Sequence, residues 1–95
     1  MKVLITGASS GIGKDMAMML GNKENELVLV ARNEERLKNV KEEIEKSGAK
    51  VQTISMDVSN PDNCKEIHNM VKDVDILINN ARIWGLWRFY KNRFG

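Results

Sequence analysis

The sequence predicts an α/β fold in which four parallel strands alternate with three helices. Short runs rich in Val, Ile and Leu, typical of strands buried on both faces, alternate along the chain with longer segments whose apolar residues recur at helical spacing. The intervening segments are too long for hairpin loops, so helical crossovers must join the strands, which then run parallel. The predicted order is βαβαβαβ.

The first half of the sequence predicts two strands and two helices. Residues 3–5 and 27–31 are the apolar runs of the strands. The first helix extends from residue 13 to about residue 20, where Gly21 and Asn22 stop it. Asn33 is a suitable N-cap for the second helix, which ends at Ser47 and Gly48. The apolar residues at helical spacing are Met16, Ala17, Met19 and Leu20 in the first helix and Leu37, Val40 and Ile44 in the second.

The second half predicts two further strands around a third helix. The strands cover residues 51–56 and 74–78. Either Ser59 or Asn60 caps the helix, in which Pro61 takes its favoured first position. The inner face of this helix carries Ile67, Met70 and Val71.

Composition and charge exclude several classes of function. The formal net charge of +2 is too small to indicate a nucleic-acid partner. Cys64 is the single cysteine, which excludes an internal disulfide, and together with His68 it gives too few ligands for a metal site. No apolar run approaches the roughly 20 residues of a membrane helix, and the amino terminus lacks the pattern of a secretory signal. We therefore expect a cytoplasmic protein with no metal, nucleic-acid or membrane partner.

A glycine-rich segment lies between the first strand and the first helix. Glycine lets the backbone turn sharply and lets a phosphate approach closely, and the following helix offers unpaired N–H groups to a pyrophosphate. The spacing is Gly-x-x-x-Gly-x-Gly, without the Lys-Ser/Thr ending of a P-loop, which argues against hydrolysis of ATP or GTP. The segment predicts a dinucleotide site, the alternative being a tight turn without a ligand. It consists of Thr6, Gly7, Ala8, Ser9, Ser10, Gly11, Ile12 and Gly13.

This loop and two later motifs together resemble those of the classical short-chain dehydrogenases/reductases. Asp57 and Val58 close the third strand, where the family places an acid near the adenine ring, and residues 79–81 are similar to the family's Asn-Asn-Ala-Gly. The resemblance covers residues 1–81 and implies the dinucleotide-binding half of a Rossmann-type, doubly wound parallel sheet with strand order 3-2-1-4. The implied cofactor-binding residues are Gly7, Ser9, Ser10, Gly11, Ile12, Gly13, Arg32, Asp57, Val58, Asn80 and Ala81.

The end of the second strand indicates which dinucleotide is preferred. An NAD site usually has an acid there to hold the ribose 2′-hydroxyl, whereas this chain has Ala31 followed by Arg32. The planar guanidinium of Arg32 can instead pair with a 2′-phosphate, which favours NADP(H) over NAD(H) and is similar to the NADP-preferring members of the family. The alternative is that Arg32 only covers the start of the second helix.

The catalytic residues of the family have no counterpart in this chain. The resemblance implies an NAD(P)-dependent oxidoreductase that works with a Ser and a Tyr-x-x-x-Lys pair. Tyr90 is followed at once by Lys91, and position 94 is Phe94, so the one-turn spacing fails. We therefore expect an oxidoreductase fragment that binds NADP(H) and is inactive by itself.

The character of the sequence changes after Ala81. Residues 82–95 contain all five aromatic residues of the chain and four basic residues, without an acid. We hypothesise a frame-shift near Arg82 that truncates the family sequence, since back-translation with one base dropped can restore Asn-Asn-Ala-Gly. The alternatives are a tail that binds nucleic acid or a membrane surface, one that packs on the fourth strand, or one that serves assembly in a non-catalytic nucleotide-binding module.

Truncation leaves the fourth strand at the edge of the predicted sheet. Its Ile76, Leu77 and Ile78 form a very apolar edge, and such an edge pairs readily with another chain. We expect a homo-oligomer formed through this strand or through the aromatic tail.

Overall fold

Strands and helices alternate along the whole described part of the protein. The computed structural model describes residues 1–80 together with Leu86 and Tyr90; Ala81 and the remainder of the aromatic tail lie outside the described residues. The elements are β1 (Lys2–Thr6), α1 (Gly11–Leu20), β2 (Glu26–Ala31), α2 (Glu34–Glu45), β3 (Lys50–Ser55), α3 (Pro61–Met70) and β4 (Ile76–Asn79). The predicted βαβαβαβ order is confirmed.

The four strands form one parallel sheet in the order β3-β2-β1-β4. Leu4 at the centre of β1 is in register with Val28 of β2 on one side and with Leu77 of β4 on the other. The chain therefore builds outward from β1 to β3 and then returns to the opposite side of β1. A crevice at the carboxyl ends of the strands is expected where the direction of winding reverses, between β1 and β4.

The sheet is covered on both faces, which explains why its central strands are apolar throughout. One face packs against α1 and α2, and the other packs against α3. Full burial of a Val, Leu or Ile side chain contributes about 1.5–3 kcal/mol, so the buried strands supply much of the stability. The first core cluster contains Val3, Ile5, Leu27, Leu29, Ala17, Leu37, Val40 and Ile44; the second contains Leu4, Val28, Val30, Cys64, Ile67, Val71, Leu86 and Tyr90.

The helix caps position the loops at the carboxyl edge of the sheet. Asn33 caps α2 by accepting a hydrogen bond from the backbone N–H of Arg36 at 3.0 Å, as its N-cap pattern predicts. Asn60, rather than Ser59, caps α3, and its side chain accepts from the backbone N–H of Asp62 at 2.9 Å.

Two methionines that the helical pattern suggested would face inward are exposed. Met70 is 50% exposed, because α3 ends at this residue and the backbone becomes extended at Val71, which is buried in its place. Met19 is 78% exposed, because it follows the buried Ala17 by two residues and points to another side of α1.

The boundaries of β4 and α1 also differ from the sequence-based expectation. β4 begins at Ile76 rather than at residue 74, because Asp75 connects to the start of β1: its carboxylate accepts from the backbone N–H of Lys2 at 2.8 Å. α1 begins at Gly11, two residues earlier than expected. Within the described residues, no helix is both long and apolar enough to cross a membrane.

Candidate cofactor-binding site

The glycine loop connects the carboxyl end of β1 to the amino end of α1. Gly7 and Gly11 have φ angles of 64° and 58°, in the left-handed region that side chains other than glycine rarely adopt. Ser10 precedes α1 as its N-cap, but its side chain makes no capping hydrogen bond, and the first turn contains no acidic residue. The first-turn N–H groups and the positive end of the helix dipole therefore suit an anion.

The third glycine of the loop, Gly13, allows α1 to pack closely against the loop itself. Gly13 is buried, and a Cβ at this position would overlap the carbonyl oxygen of Gly7. The same Cβ would lie 2.8 Å from the Gly7 carbonyl carbon and 2.9 Å from Nδ2 of Asn80. Gly13 thus sets how closely α1 approaches the loop, and Asn80, which directly follows β4, lies at the same junction.

A polar contact joins the carboxyl ends of β1 and β4 beneath this junction. The side chain of Thr6 is fully buried, and its hydroxyl donates to Oδ1 of Asn79 at 2.9 Å. Thr6 and Asn79 are also register partners in the sheet. Thr6 belongs to the glycine-rich segment and Asn79 to the Asn-Asn-Ala motif, but the sequence did not predict their contact, because it depends on the pairing of strands that lie far apart in the chain.

An open cleft of about 630 Å³ extends along the carboxyl ends of β1, β2 and β3. Most of the residues expected to bind a cofactor line it, from the glycine loop, from the end of β2 and from the turn after β3. The lining residues are Gly7, Ser9, Ser10, Val30, Ala31, Arg32, Asn33, Arg36, Met56, Asp57, Val58 and Ser59. Arg36, Met56 and Ser59 are members that sequence reasoning missed.

The remaining predicted site residues lie around this cleft. Gly11 lines an adjoining groove between α1 and α2, and Gly13 is buried under the loop. Ile12 is 70% exposed and does not line the cleft. Asn80 lies beside Gly13, and Ala81 is outside the described residues.

Asp57 and Arg32 bring opposite charges to the same end of the cleft. The Ser59 hydroxyl and the Ser59 backbone N–H, 2.9 Å from Asp57 Oδ1, hold the pKa of Asp57 below its usual value, and the nearby Arg32 guanidinium lowers it slightly further. Asp57 is therefore a carboxylate at neutral pH and can only accept hydrogen bonds. Residues 1–80, Leu86 and Tyr90 contain no group of three or more side chains suited to a metal ion.

A family model described as short chain dehydrogenase matches residues 1–92. The chain belongs to the short-chain dehydrogenase family. The match runs beyond Ala81 into the tail, so the boundary that we place between residues 81 and 82 stays a prediction.

Curated members of the family are similar to this chain over most of its length. An 11-beta-hydroxysteroid dehydrogenase of Pinus massoniana is 44% identical over 84 residues, which are 83% of this chain and 24% of that protein. A 3beta-hydroxysteroid dehydrogenase of Mediterraneibacter gnavus is 39% identical over 87 residues, which are 87% of this chain and 32% of the relative. The chain thus spans about a quarter to a third of the length of these relatives.

Solved structures of short-chain dehydrogenases share its fold. That of a short-chain dehydrogenase from Sphingobium yanoikuyae in complex with NADPH superposes with a TM-score of 0.77 at 37% identity, covering 84% of this chain and 33% of that one. That of L-sorbose reductase from Gluconobacter frateurii, complexed with NADPH and L-sorbose, has a TM-score of 0.74 at 32% identity and covers 86% and 33%.

Proposed function

We propose that this chain is the NADP(H)-binding part of a short-chain dehydrogenase/reductase and is catalytically inactive by itself. The observation that carries the proposal is the composition of the cleft. The amino end of α1, which has no side-chain cap, lies on one side of the cleft. On the other side, Arg32 follows β2 at the position where an NAD site has an acid. A pyrophosphate suits the helix end, and a 2′-phosphate suits the guanidinium.

The shape of the loop supports a dinucleotide over a plain turn. Gly7 and Gly11 adopt backbone conformations that favour glycine, and Gly13 lets the helix approach the loop closely. Both related structures cited above contain NADPH. When bound, this cofactor supplies the hydride that the family transfers; the role of the present residues is to hold and orient it.

The inactivity that we propose follows from the residues available for proton transfer. Tyr90 is buried, its hydroxyl donates to the backbone oxygen of Val71 at 2.8 Å, and desolvation raises its pKa to about 12. A tyrosine so engaged is poorly suited to act as a general acid or base near neutral pH.

The named relatives act on different substrates, so no substrate is assigned to this chain. Its cytoplasmic location stays a prediction.

Isothermal titration of the purified chain with NADPH and with NADH tests the proposal. We expect NADPH to bind more tightly, and Arg32→Ala to reduce this preference while leaving NADH binding unchanged. Lys38→Ala is a matched control, because Lys38 is an exposed cation that lines neither the cleft nor the adjoining groove. Absence of NADPH binding by the folded chain, or an equal effect of Lys38→Ala, would contradict the proposal.

We also propose that two copies associate through β4. Among the described residues β4 pairs only with β1, and its Ile76, Leu77 and Ile78 remain partly exposed. An apolar strand at the edge of a sheet favours pairing with a second strand. Sedimentation velocity should detect a dimer or larger species, and Leu77→Lys should shift it to monomer; a wild-type chain that is monomeric at high concentration would refute the proposal.

A further inference from the structure

Arg36 stands between two adjoining depressions on the surface. It lines the cofactor cleft together with Arg32, and it also lines the groove between α1 and α2 together with Lys14. Ser9 and Ser10 of the glycine loop are likewise shared by the two depressions. Arg36 therefore lies on the ridge that faces the loop at the end of the cleft where Arg32 emerges.

The start of α2 explains this position. Asn33 caps the helix by accepting a hydrogen bond from the Arg36 N–H, so Arg36 is the third residue of the first turn. Side chains of a helix lean toward its amino end, which directs Arg36 back toward the turn that carries Arg32. A single residue earlier or later would place the side chain about 100° around the helix.

The charges around Arg36 leave its guanidinium available for an anion. Among residues 1–80, Leu86 and Tyr90, neither arginine of the cleft forms an ion pair. Glu34 and Glu35, in the same turn of α2, line neither depression. Glu43 does line the groove, but it pairs with Lys46 at 3.1 Å.

We propose that Arg36 is a second determinant of the preference for NADP(H), binding the 2′-phosphate jointly with Arg32. The inference rests on the proposed function, since it assigns a further residue to the same cofactor. Two guanidinium groups can offer a dianionic phosphate more donors than one, whereas NADH presents only an uncharged 2′-hydroxyl at this position. Arg36 thus discriminates between NADPH and NADH, and it contributes little to binding the part of the molecule that the two cofactors share.

The test compares Arg36→Ala and Arg36→Lys with the wild type and with the Lys38→Ala control, by titration with NADPH and NADH. A charge-assisted hydrogen bond at an exposed site supports a change of about tenfold. We expect Arg36→Ala to weaken NADPH by about that factor and to change NADH less than about twofold, and Arg36→Lys to retain part of the affinity. Titration with adenosine 2′,5′-bisphosphate and with AMP, which differ only in the 2′-phosphate, should reproduce the difference and so locate it at that phosphate.

The outcomes separate this inference from the proposed function. If the wild type prefers NADPH and Arg32→Ala reduces that preference, but Arg36→Ala does not, the role of Arg36 is refuted and the proposed function stands. An equal loss of NADPH and NADH binding in Arg36→Ala also refutes it, because Arg36 would then act on the common part or on the fold. A wild type that does not prefer NADPH overturns both.

Discussion

Replacement of Gly13 by alanine has two opposite effects on stability, a gain in helix propensity and a loss from overpacking. Alanine is favoured over glycine inside a helix by about 1 kcal/mol, so Gly13→Ala would stabilise α1 if nothing opposed it. The new methyl group, however, would overlap the carbonyl oxygen of Gly7 and lie 2.8 Å from its carbonyl carbon. Both obstacles are backbone atoms, so a change of rotamer cannot relieve the overlap, and α1 or the loop must move.

The magnitude of the two effects decides the sign. Overpacking a filled interior costs about 1–3 kcal/mol and occasionally more, and overlap with backbone belongs at the upper end. After the gain in propensity is subtracted, we expect Gly13→Ala to lower the free energy of unfolding by about 2 kcal/mol. For a chain of this size the midpoint of thermal unfolding should fall by about 10 °C. Binding of NADPH should be lost as well, since the loop is displaced.

Urea unfolding followed by far-ultraviolet circular dichroism measures the change, with Gly11→Ala as the matched control. A Cβ at Gly11 meets nothing within 4 Å, so only its φ of 58° opposes the substitution. That strain costs about 1–2 kcal/mol without an overlap to displace the helix. If Gly13→Ala were as stable as the wild type, the close approach of α1 to the glycine loop would be wrong.

Three further substitutions test individual contacts. Thr6→Val removes the hydroxyl that donates to Asn79, and urea unfolding should show that the free energy of unfolding falls by about 1–2 kcal/mol. An unchanged free energy of unfolding would contradict this hydrogen bond between β1 and β4. Tyr90→Phe removes the hydrogen bond to Val71. Because the pKa of Tyr90 is raised to about 12 in the folded state, the free energy of unfolding of the wild type should fall more steeply between about pH 10 and pH 12 than that of the variant. Parallel dependences of the two free energies on pH would contradict this. Asp57→Asn should make the free energy of unfolding depend less on pH below about pH 4. The lowered pKa of Asp57 favours the folded state above that pH, and this contribution disappears as the carboxylate is protonated. An unchanged dependence on pH would argue against the contacts of Asp57 with Ser59.

The parts of the fold that sequence alone could predict are those with a local cause. β2 was predictable because its residues are apolar on both faces, and the cap at Asn33 because the capping bond spans three residues. Met70 was placed wrongly, because the pattern of α3 does not reveal where the helix ends and the chain turns inward. Arg36 was missed as a site residue because its position depends on how the start of α2 meets a loop more than twenty residues earlier.

The parallel sheet explains how a chain that spans about a third of the length of related short-chain dehydrogenases can form the candidate cofactor cleft. In a parallel sheet every strand ends at the same edge, so the segments after β1, β2 and β3 meet there although they are far apart in sequence. The hydrogen bond from Thr6, which directly precedes the glycine loop, to Asn79 joins the ends of β1 and β4 at the same edge. Under the function that we propose, residues from β1 to β4 bind the cofactor, and the acid–base chemistry of the family needs side chains that these elements do not supply. The proposal therefore predicts that substitutions at Arg32 and Arg36 change NADP(H) affinity and not turnover.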